Sequence, residues 1–173
     1  MDVLVIGCGN LLRGDDAVGP ILVRRLGERR LPPGVEVSDA GTGGMDVALR
    51  MRGRDEVIIV DACRSGGEPG AVYEVSGAEV ENPPSGINLH AFRWDHAIAY
   101  GRWLLKDAYP ARVTAFLVEG GSFEPGAPLS PAVDAAVDAV VGHLLDRLRA
   151  WQGSQPRADA AGAHPPPAPV RST

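Results

Sequence analysis

Three aspartates and one histidine carry the chemistry this chain could perform. Asp16 follows the short apolar run Val3 to Ile6 and the turn Gly7-Cys8-Gly9. Asp39 follows Val35 to Val37, and Asp61 closes the run Val57 to Val60. His90 stands just ahead of a stretch with helical spacing. Asp16, Asp61 and His90 together make a mixed oxygen and nitrogen donor set for a borderline divalent ion. Imidazole suits nickel, zinc, copper or iron, and carboxylate broadens the range, so residue type alone does not choose the metal. Each residue also has a plain structural reading. The adjacent acids Asp15 and Asp16 suit the cap and dipole of a helix start, Asp61 suits the cap of a turn, and a lone histidine is more often structural. His96, beside Asp95, competes with His90, and Asp95 suits orienting either ring from behind.

Other chemistries fit less well. A dinucleotide fingerprint needs a third glycine where this chain has Leu12, and Asp15 and Asp16 would repel a pyrophosphate. Asp39 could stand in for the ribose-binding acid, which keeps a nucleotide-binding enzyme as a rival. Cys8 lies in the same turn, but the acids nearby oppose formation of a thiolate there, so it is not read as a nucleophile. Cys8 and Cys63 are read as small buried residues in a reducing compartment, with no CxxC metal pair.

The elements that must position these residues follow from pattern. A continuous apolar run predicts a strand buried on both faces at Val3–Ile6. Val57–Val60 is the clearest strand, Val35–Val37 a short one and Val113–Val118 a weakly alternating central one, with a further strand at Ala71–Val75. Helical spacing predicts helices over Ala17–Leu26, Met45–Met51, Ala91–Leu105 and Pro131–Trp151. Ile98, Trp103 and Leu104 are the expected core residues of the third helix. Those expected for the last are Val133, Val137, Val140, Val141, Leu144, Leu145 and Leu148. Residues 76–88 read as polar and turn-rich. Such alternation implies α/β architecture with a mostly parallel sheet of about five strands, covered by helices on both faces. Ligands of such sheets bind beyond the C-terminal strand ends, which is where Asp16, Asp39 and Asp61 would meet.

The 173 residues suit one domain, expected to span residues 1–152, followed by a disordered Pro/Ala-rich tail over 153–173 with almost no large apolar side chain. A formal net charge of -5 disfavours nucleic-acid binding. Asp2 and the early turn argue against a signal peptide, and no apolar run is long enough to cross a membrane, so a cytoplasmic protein is expected.

Taken in order, GCGNLLRGDDAVG, DAGTGGMDVALRM, RDEVIIVDACRSGGEPGAVY, INLHAFRWDHAIAYGRWLL and FEPGAPLSPAVDAAVDAVV resemble the segments of the hydrogenase maturation protease family, over about residues 1–150. The resemblance implies a three-layer α/β/α sandwich and release of a C-terminal peptide from a nickel–iron hydrogenase large-subunit precursor after nickel insertion. It implies that Asp16, Asp61 and His90 are nickel ligands and carry catalysis, the nickel arriving with the precursor. Asp39, Gly41, Thr42 and Gly43 would shape the site and contact that substrate. Asp16 stands where many members carry Glu, one methylene longer with the same ligand chemistry. A non-enzymatic module of the same fold, holding nickel or precursor without cutting, is the alternative.

Overall fold

Strand β1 (Val3–Cys8) is buried along its whole length, and β3 (Glu56–Cys63) is buried up to its last residue. Successive side chains divide between two cores. Val3, Val5, Ile58, Val60, Phe116 and Val118 face one side, and Leu4, Ile6, Val57, Ile59, Val113 and Ala115 face the other. Apolar side chains on both faces are the reason these strands read as continuous runs rather than alternating ones. A computed structural model describes residues 1–80 and 94–153 of the chain.

The remaining elements are α1 (Val18–Gly27), β2 (Val35–Gly41), α2 (Gly44–Arg50), β4 (Val72–Ser76), α3 (Gly77–Val80), α4 (Trp94–Leu105), β5 (Arg112–Glu119) and α5 (Pro131–Gly153). The five strands lie in the order β2-β1-β3-β5-β4. The first four are parallel, and β4 pairs antiparallel with β5 at one edge. Helices α1 and α5 cover one core, α2 and α4 the other. This is the three-layer sandwich with a mostly parallel sheet that the sequence implied. Among the described residues no helix is long and apolar enough to cross a membrane.

Topology places the site. From β1 the chain moves outward to β2, then returns across β1 to β3 on the other side. The strand order therefore reverses between β1 and β3, and a crevice opens at their C-terminal ends. Two glycines bring α1 down onto that switch point. A Cβ on Gly19 would overlap the Cys8 backbone and the Val60 carbonyl, and one on Gly7 would overlap the Gly19 carbonyl. The glycines of the first motif thus serve close packing of helix on sheet.

Three expectations need correction. Trp103 and Leu104 are exposed, at 69% and 39%, whereas Ile98, Gly101 and Leu105 are buried. The buried stripe of α4 runs at i, i+3 and i+7, and 103–104 fall on its outer side; the Trp103 ring lies against Tyr100 instead. Asp15 and Asp16 do not cap α1, whose N-cap makes no side-chain hydrogen bond; they lie in the preceding 3-10 turn, Gly14–Ala17. Finally, a short helix, α3, occupies part of the stretch expected to be turn-rich. Ser76 donates from its N–H and hydroxyl to the Glu79 carboxylate, at 2.9 and 2.7 Å, a start signal of the S-x-x-E kind. All the core residues expected for α5 are buried. His90 and the tail beyond Gly153 lie outside the described residues.

Candidate active site

A cleft of about 650 Å³ opens over the C-terminal ends of β1, β2 and β3. Its walls include Asp16 and Asp61, the Gly41-Thr42-Gly43-Gly44 loop, Cys8, Cys63 and Arg64.

Asp61 is supplied by β3, which continues two residues past it to Cys63 rather than ending there. The residue is 7% exposed, and Oδ1 accepts the Ala62 N–H at 2.8 Å. Asp16 is half-buried and comes from the 3-10 turn that β1 feeds. Gly9 lies between the two. Its φ of 127° suits glycine, a Cβ there would overlap the Asp16 carbonyl, and the Asp61 carboxylate lies 3.5 Å from that Cβ position. Gly9 thus lets the β1–α1 turn fold onto the end of β3, which brings the two carboxylates to one cleft.

The β2–α2 loop forms another wall. The Gly9 N–H donates to the Gly41 carbonyl at 2.8 Å, tying this loop to the first. Asp39 accepts the Gly41 N–H at 2.8 Å, an Asx-type turn that shapes the loop from its base. Gly41, Thr42 and Gly43 line the cleft; Asp39 does not. His96, in the first turn of α4, does not line it either. No group of three or more His, Cys, Asp or Glu among the described residues is arranged to hold a metal ion.

Asp15 is fully buried and does different work. Its carboxylate accepts the Gly121, Ser122 and Ser130 N–H groups and the Ser130 hydroxyl, at 2.7 to 3.0 Å. Burial alone raises its pKa, but the bonds from Ser130, Ser122 and Gly121 outweigh that and hold the carboxyl below the usual range. The 120–130 loop is thereby clasped to the β1–α1 turn, and it delivers Phe123 to the cleft.

Sequence reasoning passed over Glu119 and Arg64. Glu119, the last residue of β5, is 2% exposed. It accepts the Ser65 hydroxyl and N–H at 2.6 and 2.8 Å, the Gly66 N–H at 2.9 Å and the Cys63 thiol at 3.3 Å. The Ser65 bonds above all lower its pKa to about 2. Burial, then Glu119 itself, pushes the Cys63 thiol up to about 12. A thiol so held is a poor nucleophile. The rule that singled out Asp61, an acid closing an apolar run, also marks Glu119 after Val113–Val118.

Because the Glu119 pKa is lowered on folding, its contribution to stability is full above the ordinary value of 4.5 and is lost as pH falls toward 2. Urea unfolding of the native chain and a Glu119→Gln variant should show the native chain's advantage near pH ~7 and much of it gone near pH ~3. An advantage of equal size at both pH values would mean that the carboxylate is not ionised in this network.

Fold and site define an α/β protein with a cleft lined by two aspartates and two arginines at the switch point of a doubly wound sheet. The family model for hydrogenase maturation proteases (HycI) matches residues 20–147, and the chain belongs to that family. It is 33% identical over 152 residues to the hydrogenase 2 maturation protease of Escherichia coli K12, covering 86% of this chain and 92% of that one. The hydrogenase maturating endopeptidase HybD from E. coli superposes with a TM-score of 0.74 at 33% identity, over 87% of this chain and 94% of the other. A [NiFe] hydrogenase maturation protease HybD from Thermococcus kodakarensis gives 0.68 at 26% identity, over 86% and 99%.

Proposed function

We propose that this chain is an endopeptidase that removes the C-terminal extension of a nickel-loaded hydrogenase large-subunit precursor. Asp16, Asp61 and His90 engage the nickel, which the precursor carries as cargo. The observation that carries the reading is the facing of Asp16 and Asp61 into one cleft in a chain of the maturation protease family. The Thermococcus neighbour's description as a [NiFe] hydrogenase maturation protease supports nickel as the metal.

Two carboxylate oxygens and one imidazole nitrogen form a set that a borderline divalent ion accepts. They complete a coordination sphere left open in the precursor, so only a loaded precursor seats its scissile bond in the cleft. Nickel held there by Asp16, Asp61 and His90 would supply Lewis acidity toward the scissile carbonyl or a water. Asp39, through the loop it shapes, and Gly41, Thr42 and Gly43 guide the precursor's backbone. The catalytic unit is residues 1–152, acting in the cytoplasm without nucleic acid or membrane.

The test mixes purified protein with nickel-loaded and with nickel-free precursor and follows intact mass. The expected result is a shortened large subunit in the loaded sample alone. A stable complex with the loaded precursor at full length would instead make the protein a non-enzymatic maturation module.

A further inference from the structure

We propose that Arg64 is a specificity residue of this cleft, taking a carboxylate of the precursor's C-terminal extension near the bond that is cut. The inference rests on the endopeptidase reading above and names the substrate chemistry of the same site.

Arg64 lines the cleft three residues beyond Asp61. Its guanidinium carbon lies 3.8 Å from the centroid of the Phe123 ring. That stacking occupies a face of the cation and leaves its N–H edge to donate. The backbone on both sides of Arg64 is tied down: the Cys63 carbonyl before it accepts the Gly120 N–H, and Glu119 takes the Ser65 and Gly66 amides after it. Phe123 in turn sits on the loop that Asp15 clasps. Among the described residues Arg64 forms no ion pair, whereas Arg25, Arg54 and Arg147 do. The cation is thus held in place while its charge remains available to a ligand.

Charge within the cleft decides what that ligand is. Asp16 and Asp61 repel an acidic group from their own part of the cleft, while Arg64, and with it the exposed Arg13 of the β1–α1 turn, attracts one; of the two cations Arg64 is the one held against a ring. An acidic residue in the extension is therefore drawn to a position offset from the nickel-engaging carboxylates, which sets the register of the peptide. A guanidinium suits a carboxylate because its planar fork offers two parallel N–H donors. Two sources share this chemistry: an Asp or Glu side chain of the extension, and the terminal carboxylate of the precursor.

The experiment measures cleavage of nickel-loaded precursor by native protein, Arg64→Ala and Arg64→Lys. In Arg64→Ala, KM should rise about tenfold, the value of one charge-assisted contact, with kcat within about twofold. Arg64→Lys should recover only part of the loss, since charge returns without the fork. Two altered precursors identify the source: one with the extension's Asp and Glu changed to Asn and Gln, the other lengthened by one C-terminal residue. The one that carries the contact should raise KM for native protein and cost nothing further with Arg64→Ala. Unchanged KM in Arg64→Ala, or two losses that simply add, overturns the inference while leaving the endopeptidase reading intact. Failure of native protein to cut loaded precursor brings down that reading and Arg64's role with it.

Discussion

Asp61→Ala should abolish processing, lowering kcat/KM on nickel-loaded precursor by at least about a thousandfold, while the fold survives. Asp61 is almost wholly buried, yet its carboxylate forms part of the cleft wall. The bond from the neighbouring Ala62 N–H accounts for about 1 kcal/mol of what folding loses. Asp61→Asn separates shape from charge: it keeps the side-chain volume and one acceptor oxygen but surrenders the anion a divalent ion prefers, and should be nearly as inactive. Asp16→Ala should behave alike, whereas Asp16→Glu, which keeps the carboxylate on a side chain one methylene longer, should retain cutting. Intact-mass analysis of the large subunit reads processing, and circular dichroism reads the fold. Normal shortening by either alanine variant would remove these carboxylates from the site.

Asp15→Ala should cost about 4 kcal/mol of stability, because three backbone N–H groups and a hydroxyl lose one shared acceptor. Gly121, Ser122 and Ser130 converge on this carboxylate from a loop with little other regular hydrogen bonding of its own. Water reaching the exposed side of the loop offsets part of the loss, which keeps it below the sum of separate penalties. The backbone links Gly14 N–H to Ala127 C=O and Gly126 N–H to Leu12 C=O run through the same junction, so the loop should loosen as a unit. Urea unfolding gives the stability change, and hydrogen exchange should show protection lost across residues 120–130. A change below about 1 kcal/mol would mean the clasp is not what holds this loop. Processing should fall too, though less than in Asp61→Ala, since the loop positions Phe123, against which Arg64 stacks, rather than supplying Asp16 or Asp61.

The contrast between Asp15 and Asp16 shows where local reading stops. Neighbours of identical type, at a helix start, carried the same local description. In the fold one is fully buried among donors from a distant loop, and the other lines the cleft. Nothing within a few residues distinguishes them, because the donors to Asp15 come from residues 121–130. Trp103 and Leu104 show a smaller version: apolar type suggested burial, but the phase of α4 is set by where Ile98 and Leu105 meet the sheet. The S-x-x-E signal at Ser76 was local and legible, and passing over it lost α3.

By itself the sequence determined the strands, the helices that separate them and the rim on which Asp16 and Asp61 stand. Burial on both faces leaves a continuous apolar signature, and the residue closing such a run lies near the C-terminal end of its strand, where ligands of such sheets bind. The tertiary structure alone decided which acids face the cleft and which are consumed internally, and it alone brought Arg64 over Phe123 and Glu119 beneath the loop that holds Arg64. Those contacts join β3, β5 and the loop preceding α5, and no periodicity within one segment encodes a partner more than fifty residues away.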